Sequence, residues 1–361
     1  MERQDNRVPV TLLTGFLGAG KTTLLNHLIR DPDAGRIAVV MNEFGDVGLD
    51  HDLIEEATEE TVLMQSGCLC CTIRGDLAKT MASLMVRRKR GELAFDRVVI
   101  ETTGIADPGP IHHTLIIDNL IVTHYRMDGI VTLADAANGP RTLDTQFEAV
   151  NQVAIADLLV ITKTDLVTPS QLDRLKVRLA GINSTARVVV GDHGQIAPGR
   201  LFNLTAMRES VTSDELSDWL GVSNSNPYPL AGLCSLTLKK PATQPMASLE
   251  VHAHHDSRIG SASIEVDAPI LADVFDFWLD TLIALKGPDI LRIKGIVHVE
   301  GIEWPFVFHG VQHIFDAPVP LKSWSGKDTR SRVVVIARDM DKNDLRGSLE
   351  TLRMHPREAR T

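Results

Sequence analysis

The chain has 361 residues, 43% of them hydrophobic and 23% charged, and a formal net charge of −10 at pH 7. This length predicts two domains, and the acidic balance argues against a broad interface with the phosphates of nucleic acid. The sequence has neither an apolar run of about 20 residues nor a cleavable signal peptide, so we expect a cytoplasmic protein without a membrane span.

Short apolar strands alternate with helical patterns through residues 1–220. In chain order, the predicted strands are PVTLLTG, RIAVVMN, RVVIETTG, GIVTLADA, DLLVITKTD and ARVVV. Strands that are almost continuously Val and Ile, separated by helices, are typical of a parallel sheet covered on both faces. We therefore predict an α/β fold with a doubly wound, mostly parallel sheet in this region.

The composition changes after residue 220. Residues 221–248 begin with GVSNSNPYPLAG, whose Pro, Asn and Gly content is typical of a linker. Residues 249–355 contain a helical pattern in ILADVFDFWLDTLIAL, a predicted antiparallel pair in DILRIKGIVHVEG and PFVFHGVQHIF, and a last helix from about Lys342. We predict a second, smaller α+β domain there.

The segment GFLGAGKTT (15–23) follows a predicted strand and opens a helix, and it fits the pattern G-x-x-x-x-G-K-[ST]. Its glycines let backbone N–H groups wrap phosphates, and the helix N-terminus adds partial positive charge. Lys21 is expected to reach the β- and γ-phosphates, and the Thr22 hydroxyl to ligate Mg²⁺. The alternative is an accidental Gly-rich turn. The predicted nucleotide-binding residues here are Gly15, Gly18, Ala19, Gly20, Lys21, Thr22 and Thr23.

Two further strand ends are expected to join this site. VVIETTG (98–104) ends in Glu101, which can hold Mg²⁺, and Gly104, whose N–H can face the γ-phosphate. In TKTD (162–165), Asp165 is predicted to bind guanine while the Lys163 stem lies along the base. Guanine-specific GTPases usually show Asn-Lys-x-Asp, so Thr162 is a departure, and an ordinary polar loop is the alternative.

The segment MNEFGDVGLD (41–50) follows the second strand and is expected to lie near the γ-phosphate as a switch loop. Asp50 is the candidate for Mg²⁺ or for positioning water. Glu43 and Asp46 could face a transition metal, and the alternative for each is a solvated loop carboxylate.

Three of the four cysteines lie in GCLCC (67–71). Cys68, Cys70 and Cys71 can offer two or three thiolates to a borderline-soft cation such as Zn²⁺ or Co²⁺. A structural zinc site is normally closed by four protein ligands, so this turn leaves a position for water, a nearby acid or a receiving protein. Cys68 and Cys71 also fit a C-x-x-C redox pair, and an inert buried cluster is a third interpretation.

The segments GFLGAGKTTLLNHL, NEFGDVGLD, GCLCC, ETTGIADP and TKTD occur in that order, and with them the chain resembles the CobW-type metallochaperones. These belong with the HypB and UreG proteins among the P-loop GTPases, and the resemblance extends to the family's smaller C-terminal domain. It implies GTP hydrolysis coupled to delivery of Zn²⁺, or Co²⁺ or another transition metal, to a client protein. Relatives often carry Glu where this chain has Met41, so one potential hard ligand is missing. No arginine finger is evident, so intrinsic turnover is expected to be slow until a client or a second subunit of a homodimer assists.

The histidines leave several interpretations open. His252, His254 and His255 lie in HAHHD, which is interpreted as a solvated loop rather than a metal-loading tract. His112 and His113 could equally be metal ligands or part of an ordinary loop. Cys234 is interpreted as a packed thiol. The remaining three histidines lie in strand patterns that suit packing or a client surface: His298, His309 and His313. Two other classes of function stay open: a metal-responsive interaction protein that uses nucleotide only to fix its shape, and a thiol redox protein.

Overall fold

The computed structural model describes residues 5–42, 62–66, 73–191, 195–206, 211–221, 258–322, 324 and 329–354. The strands of its first sheet are β1 (Val8–Gly15), β2 (Ile37–Asn42), β3 (Val62–Ser66), β4 (Arg97–Thr102), β5 (Tyr125–Asp135), β6 (Leu158–Thr162) and β7 (Arg187–Val190). The helices of this region are α1 (Lys21–Arg30), α2 (Ile73–Lys89), α3 (Gly109–Ile117), α4 (Asn119–His124), α5 (Gly139–Thr145), α6 (Phe147–Ala154), α7 (Pro169–Ile182) and α8 (Ser213–Trp219).

The seven strands of the first sheet lie in the order β3-β2-β4-β1-β5-β6-β7, and every pairing is parallel. Successive side chains of a strand point to opposite faces, so a wholly apolar strand supplies two cores at once. In β2, Val40 packs in the same cluster as Leu77 of α2, whereas Val39 packs in the cluster of Leu24 of α1 on the opposite face. The predicted doubly wound parallel sheet is confirmed.

The second sheet has six strands and is antiparallel, with the order β11-β10-β9-β13-β8 and β12 paired to β10. These strands are β8 (Ile259–Val266), β9 (Ile290–Val297), β10 (Phe306–Val311), β11 (Ile314–Phe315), β12 (Val319–Pro320) and β13 (Ser331–Arg338), accompanied by helices α9 (Ala272–Lys286) and α10 (Lys342–Glu350). Both the predicted antiparallel pair, β9 and β10, and the predicted last helix are confirmed. Within the described part of the chain, no helix combines the length and apolar character that a bilayer span requires.

The two sheets meet at a buried charged cluster. Asp157, just before β6, accepts hydrogen bonds from the backbone N–H of Ile130 at 2.9 Å and from the guanidinium of Arg292 in β9. The ammonium of Lys294, also in β9, lies 3.1 Å from the same carboxylate. Burial raises the pKa of Asp157, but the two cations outweigh burial and hold that pKa well below its usual range. The cluster therefore binds the second sheet to the first through charges shielded from water.

Residues 222–248 of the predicted linker lie outside the described residues, so the division at 220 and 248 stays a prediction. His309 lies in β10 and is buried, which excludes the client-surface alternative. His313 lies in the turn between β10 and β11 rather than in a strand, because Gln312 takes a positive φ of 57° and reverses the chain there. His298 follows the end of β9.

Candidate nucleotide site

The phosphate-binding loop lies at the carboxyl end of β1. Gly15, Gly18 and Gly20 have φ values of 142°, 71° and 96°, a region that residues with a Cβ rarely enter. A Cβ at Gly15 would also lie 2.7 Å from the carbonyl oxygen of Leu133 in β5. Helix α1 starts at Lys21, directly after this turn, so its free N–H groups open toward the loop. The local geometry is that of an anion-binding helix N-terminus.

Lys21 is only 9% exposed, and its ammonium donates a hydrogen bond of 2.8 Å to the carbonyl oxygen of Gly15. The side chain therefore folds back over the start of the loop and keeps its charge beside the backbone that would surround a phosphate. Thr22 and Thr23 occupy the first turn of α1, where a hydroxyl can meet a metal ion bound to that phosphate.

Thr162, the last residue of β6, is 5% exposed and touches the loop directly. Its Oγ1 donates a hydrogen bond of 2.8 Å to the carbonyl oxygen of Ala19. A Cβ at Gly20 would lie 3.8 Å from Thr162, which shows how closely the strand end underlies the loop. The residue that departs from the usual Asn-Lys-x-Asp pattern thus supports the phosphate-binding backbone.

Lys163 follows Thr162 in a left-handed conformation, with φ 54°. Its ammonium pairs at 2.7 Å with the carboxylate of Asp135, the last residue of β5. That carboxylate also accepts N–H groups of Ala137 and Asn138 at 2.8 and 2.9 Å. Burial raises the pKa of Asp135, but the Lys163 ammonium and these donors together keep it below its usual value. Asp165 is exposed in a short 3₁₀ turn after this pair, and its contact with guanine stays a prediction.

Glu101 and Gly104 mark the carboxyl end of β4. Glu101 is 5% exposed and lies in register with Leu13 of β1 and Met41 of β2. A Cβ at Gly104 would lie 2.5 Å from the backbone nitrogen of Leu17, so this turn passes directly against the phosphate-binding loop. Met41 itself is 4% exposed and packs in the core beneath α1, which explains how an apolar residue is tolerated there.

One residue that the sequence did not single out fixes the Gly104 turn. The side-chain amide of Gln152 in α6 donates hydrogen bonds to the carbonyl oxygens of Gly104, at 3.2 Å, and Ala106, at 3.0 Å. Gln152 lies inside a helix and carried no sequence signal. Asp135 could have been found, because an acid at the end of a buried strand is the feature that singled out Glu101.

The remaining predicted site residues lie outside the described residues: Glu43, Asp46, Asp50, Cys68, Cys70 and Cys71. The strands that precede them are described. β2 and β3 are neighbours and end in register, with Asn42 opposite Ser66, and Asn42 is also opposite Thr102 of β4. Both segments therefore begin at the edge of the sheet that holds the phosphate-binding loop.

Known proteins resemble this chain over nearly its whole length. Residues 9–190 match the family model described as CobW/HypB/UreG, nucleotide-binding domain, and residues 259–353 match the cobalamin synthesis protein cobW C-terminal domain. The zinc chaperone YjiA of Escherichia coli is 31% identical over 350 residues, which cover 96% of this chain and 99% of YjiA. The zinc-regulated GTPase metalloprotein activator 1 of Schizosaccharomyces pombe is 32% identical over 355 residues, which cover 92% of this chain and 83% of that protein. A crystal structure of Zn(II)-bound YjiA GTPase superposes with a TM-score of 0.71 at 28% identity, covering 97% of this chain and 100% of that one.

Proposed function

Because the chain belongs to the CobW/HypB/UreG family, we propose that it is a metal chaperone that hydrolyses GTP and uses its nucleotide state to control the binding and transfer of Zn²⁺, or Co²⁺, to a client metalloprotein. The observation that carries this proposal is the position of four strand ends. β1, β2, β3 and β4 end at one edge of the sheet, so the phosphate-binding loop, the switch segment and the cysteine turn all start there.

The hydrolytic part of the proposal rests on the loop. Backbone N–H groups from Gly15 to Thr23 and the Lys21 ammonium stabilise the charge on the transferred phosphoryl group. Thr22, Asp50 and Glu101 are assigned to Mg²⁺, because a hydroxyl and carboxylates are the hard oxygen ligands that this ion takes. Mg²⁺, when bound, neutralises charge that develops on the phosphate oxygens. The Gly104 turn is assigned the response to the γ-phosphate, and its contact with the loop and its hydrogen bond from Gln152 support this assignment.

Guanine selectivity is assigned to Asp165, with the stem of Lys163 along the base. The ion pair between Lys163 and Asp135 supports this assignment, since it fixes the backbone that carries Asp165 at the carboxyl ends of β5 and β6. Thr162 supplies the loop contact at the first position of the motif.

The metal is the cargo, and its ligands are assigned to Cys68, Cys70 and Cys71, with Glu43 and Asp46 as neighbouring oxygen ligands. Thiolates select borderline-soft ions such as Zn²⁺ and Co²⁺, and fewer than four protein ligands leave a position for the client. Because β2 and β3 are neighbours, we expect the nucleotide state to act on the segment after β2 and through it on the cysteines after β3. Coupling of about 1–3 kcal/mol between the two sites is the ordinary magnitude for such an arrangement.

Phosphate release from GTP tests the hydrolytic half. The wild type should release phosphate from GTP in the presence of Mg²⁺, and Lys21→Ala should reduce this to background while circular dichroism stays unchanged. Release by a well-folded Lys21→Ala variant at the wild-type rate would contradict the assignment.

Cobalt spectroscopy tests the metal half. Co²⁺ added to the wild type should give sulfur-to-metal charge-transfer bands, because only a thiolate ligand donates in this way. Cys70→Ser should weaken binding strongly, and Cys234→Ser is the matched control that should not. A C-x-x-C redox pair would instead tolerate Cys70→Ser. A cobalt spectrum without thiolate bands would refute the cysteine site.

A further inference from the structure

A second group of metal-binding side chains lies where the two sheets meet. His112 comes from α3, beside the first sheet, and His309 and Asp316 come from β10 and the segment after β11 of the second sheet. One donor atom of each residue lies within 4.8 Å of the other two. Both histidines are buried, with His112 0% exposed, and Asp316 is half-buried. We call these three residues the junction triad.

The hydrogen bonding of the junction triad is incomplete. Nδ1 of His309 lies 3.1 Å from the carboxylate of Asp316. Among the described residues, neither ring nitrogen of His112 has a hydrogen-bond partner, and neither does Nε2 of His309. Buried polar atoms are nearly always paired in folded proteins, so three unpaired ring nitrogens in one place need an explanation.

We propose that the junction triad binds a divalent transition-metal ion, Zn²⁺ or Co²⁺, at a site separate from the cysteine turn. Two imidazoles and one carboxylate form a ligand set that zinc takes in open sites, with the fourth position left to water. Ligand atoms about 2.0–2.1 Å from a tetrahedral zinc ion are about 3.3 Å apart, so small side-chain rotations bring the three donors into range.

Ring packing is the competing explanation. The ring of His309 makes edge-on contacts with His112, at 5.9 Å between centroids, and with Trp219, at 6.0 Å. Such packing accounts for the burial of the rings, but it gives no partner to the unpaired nitrogens. A metal ion is compatible with the burial and gives a partner to one nitrogen of each ring.

The charges around the junction triad are compatible with a cation. Burial lowers the pKa of His112 to about 4, so its ring is neutral near pH 7 and one of its two nitrogens, set by the tautomer, offers a lone pair. Arg292 is the opposing positive charge, and it is paired with Asp157 in the charged cluster described above. The carboxylate of Asp316 supplies negative charge within the triad itself.

The position of the triad links it to the nucleotide site. α3 begins directly after the loop that carries Gly104, and Asp107 of that loop accepts a hydrogen bond from the N–H of Gly109 at 2.9 Å. The other carboxylate oxygen of Asp107 accepts the side-chain amide of Gln312, in the turn after β10, at 3.0 Å. An ion bound by residues of α3 and β10 would therefore connect the second sheet to the segment that follows the Gly104 turn. This inference stands independently of the cysteine site.

The test uses the full chain with all four cysteines, Cys68, Cys70, Cys71 and Cys234, changed to Ser, and Co²⁺ as the only probe. We expect one Co²⁺ per chain with d–d absorption bands and without thiolate charge transfer. His112→Gln and His309→Gln should each weaken binding by roughly 100-fold, since loss of even an outer-shell partner costs 10–100-fold. His113→Gln, the adjacent histidine, is the matched control and should leave the affinity unchanged.

Cobalt X-ray absorption on the same thiol-free chain gives a readout that needs no junction variant, and it should show imidazole scattering from two histidines. The triple variant His252→Gln/His254→Gln/His255→Gln separates the junction triad from the histidines of HAHHD and should keep the ion. The proposal is overturned if the thiol-free chain binds no Co²⁺, if the HAHHD variant loses it, or if folded His112→Gln and Asp316→Asn chains bind it with wild-type affinity.

Discussion

Thr162→Val removes one hydroxyl beneath the phosphate-binding loop and leaves the side-chain volume almost unchanged. The lost hydrogen bond is the 2.8 Å contact to the carbonyl oxygen of Ala19, at a position 5% exposed. A buried carbonyl deprived of its donor costs about 1–3 kcal/mol. Because Ala19 belongs to the backbone that surrounds the phosphates, we expect about 1.4 kcal/mol of this cost to appear as about tenfold weaker nucleotide binding.

Fluorescent GDP binding measures the affinity, and urea unfolding measures the stability of the same samples. Thr185→Val is the matched control, since Thr185 is also buried and its hydroxyl donates a 2.9 Å hydrogen bond to the side-chain oxygen of Asn183. Both residues lie between α7 and β7, at the opposite end of the sheet from the phosphate-binding loop, so the control should lose stability with little change in affinity. Equal affinities of Thr162→Val and the wild type, or equal losses in both variants, would refute the assigned support role.

Three other predictions concern charged residues. Asp165→Asn should shift nucleotide preference from GTP toward xanthosine triphosphate in competition binding, and equal binding of ATP and GTP by the wild type would contradict the guanine assignment. Asp157→Asn leaves Arg292 and Lys294 buried without their anion and should reduce the free energy of unfolding by about 3–5 kcal/mol, whereas Asp96→Asn, which breaks an exposed pair, should cost only about 0–1 kcal/mol. Burial lowers the pKa of Lys294 from 10.5 to about 7. Between pH 7 and 10.5 the unfolded chain therefore binds a proton at Lys294 that the folded chain has lost. The free energy of unfolding of the wild type should rise with pH in this range, by up to about 1.4 kcal/mol per pH unit. Lys294→Met should abolish this rise in urea unfolding measured from pH 7 to 10, and an unchanged slope would show that Lys294 is not its source.

The parallel sheet and the phosphate-binding loop could be predicted because their signals are local. Wholly apolar strands specify burial on both faces, as Val39 and Val40 illustrate by packing on opposite sides of β2. The loop needs glycine at positions 15 and 20, because the backbone takes a positive φ at both, and the spacing of the motif already indicates this. Strand ends such as Glu101 and Thr162 then converge because all strands run in the same direction.

The contacts between distant segments could not be predicted. Thr162 was interpreted only as a departure from a motif, since its bond to Ala19 joins residues 143 positions apart. Gln152 and Asp107 are ordinary polar residues until the fold places them beside Gly104 and Gln312. The pairing of His112, which was ambiguous, with His309, which was assigned to packing or a client surface, could not be predicted, because only the meeting of the two sheets brings the two rings together.

The central claim is that the nucleotide state controls the affinity for the transferred metal. The most direct measurement is the dissociation constant of Zn²⁺ for the full chain, determined by competition with a chelating dye in Mg²⁺ with a non-hydrolysable GTP analogue and again in Mg²⁺ with GDP. The account predicts tighter binding in the GTP state by about 5- to 150-fold, the range that ordinary coupling energies give. Equal dissociation constants in the two nucleotide states would contradict it.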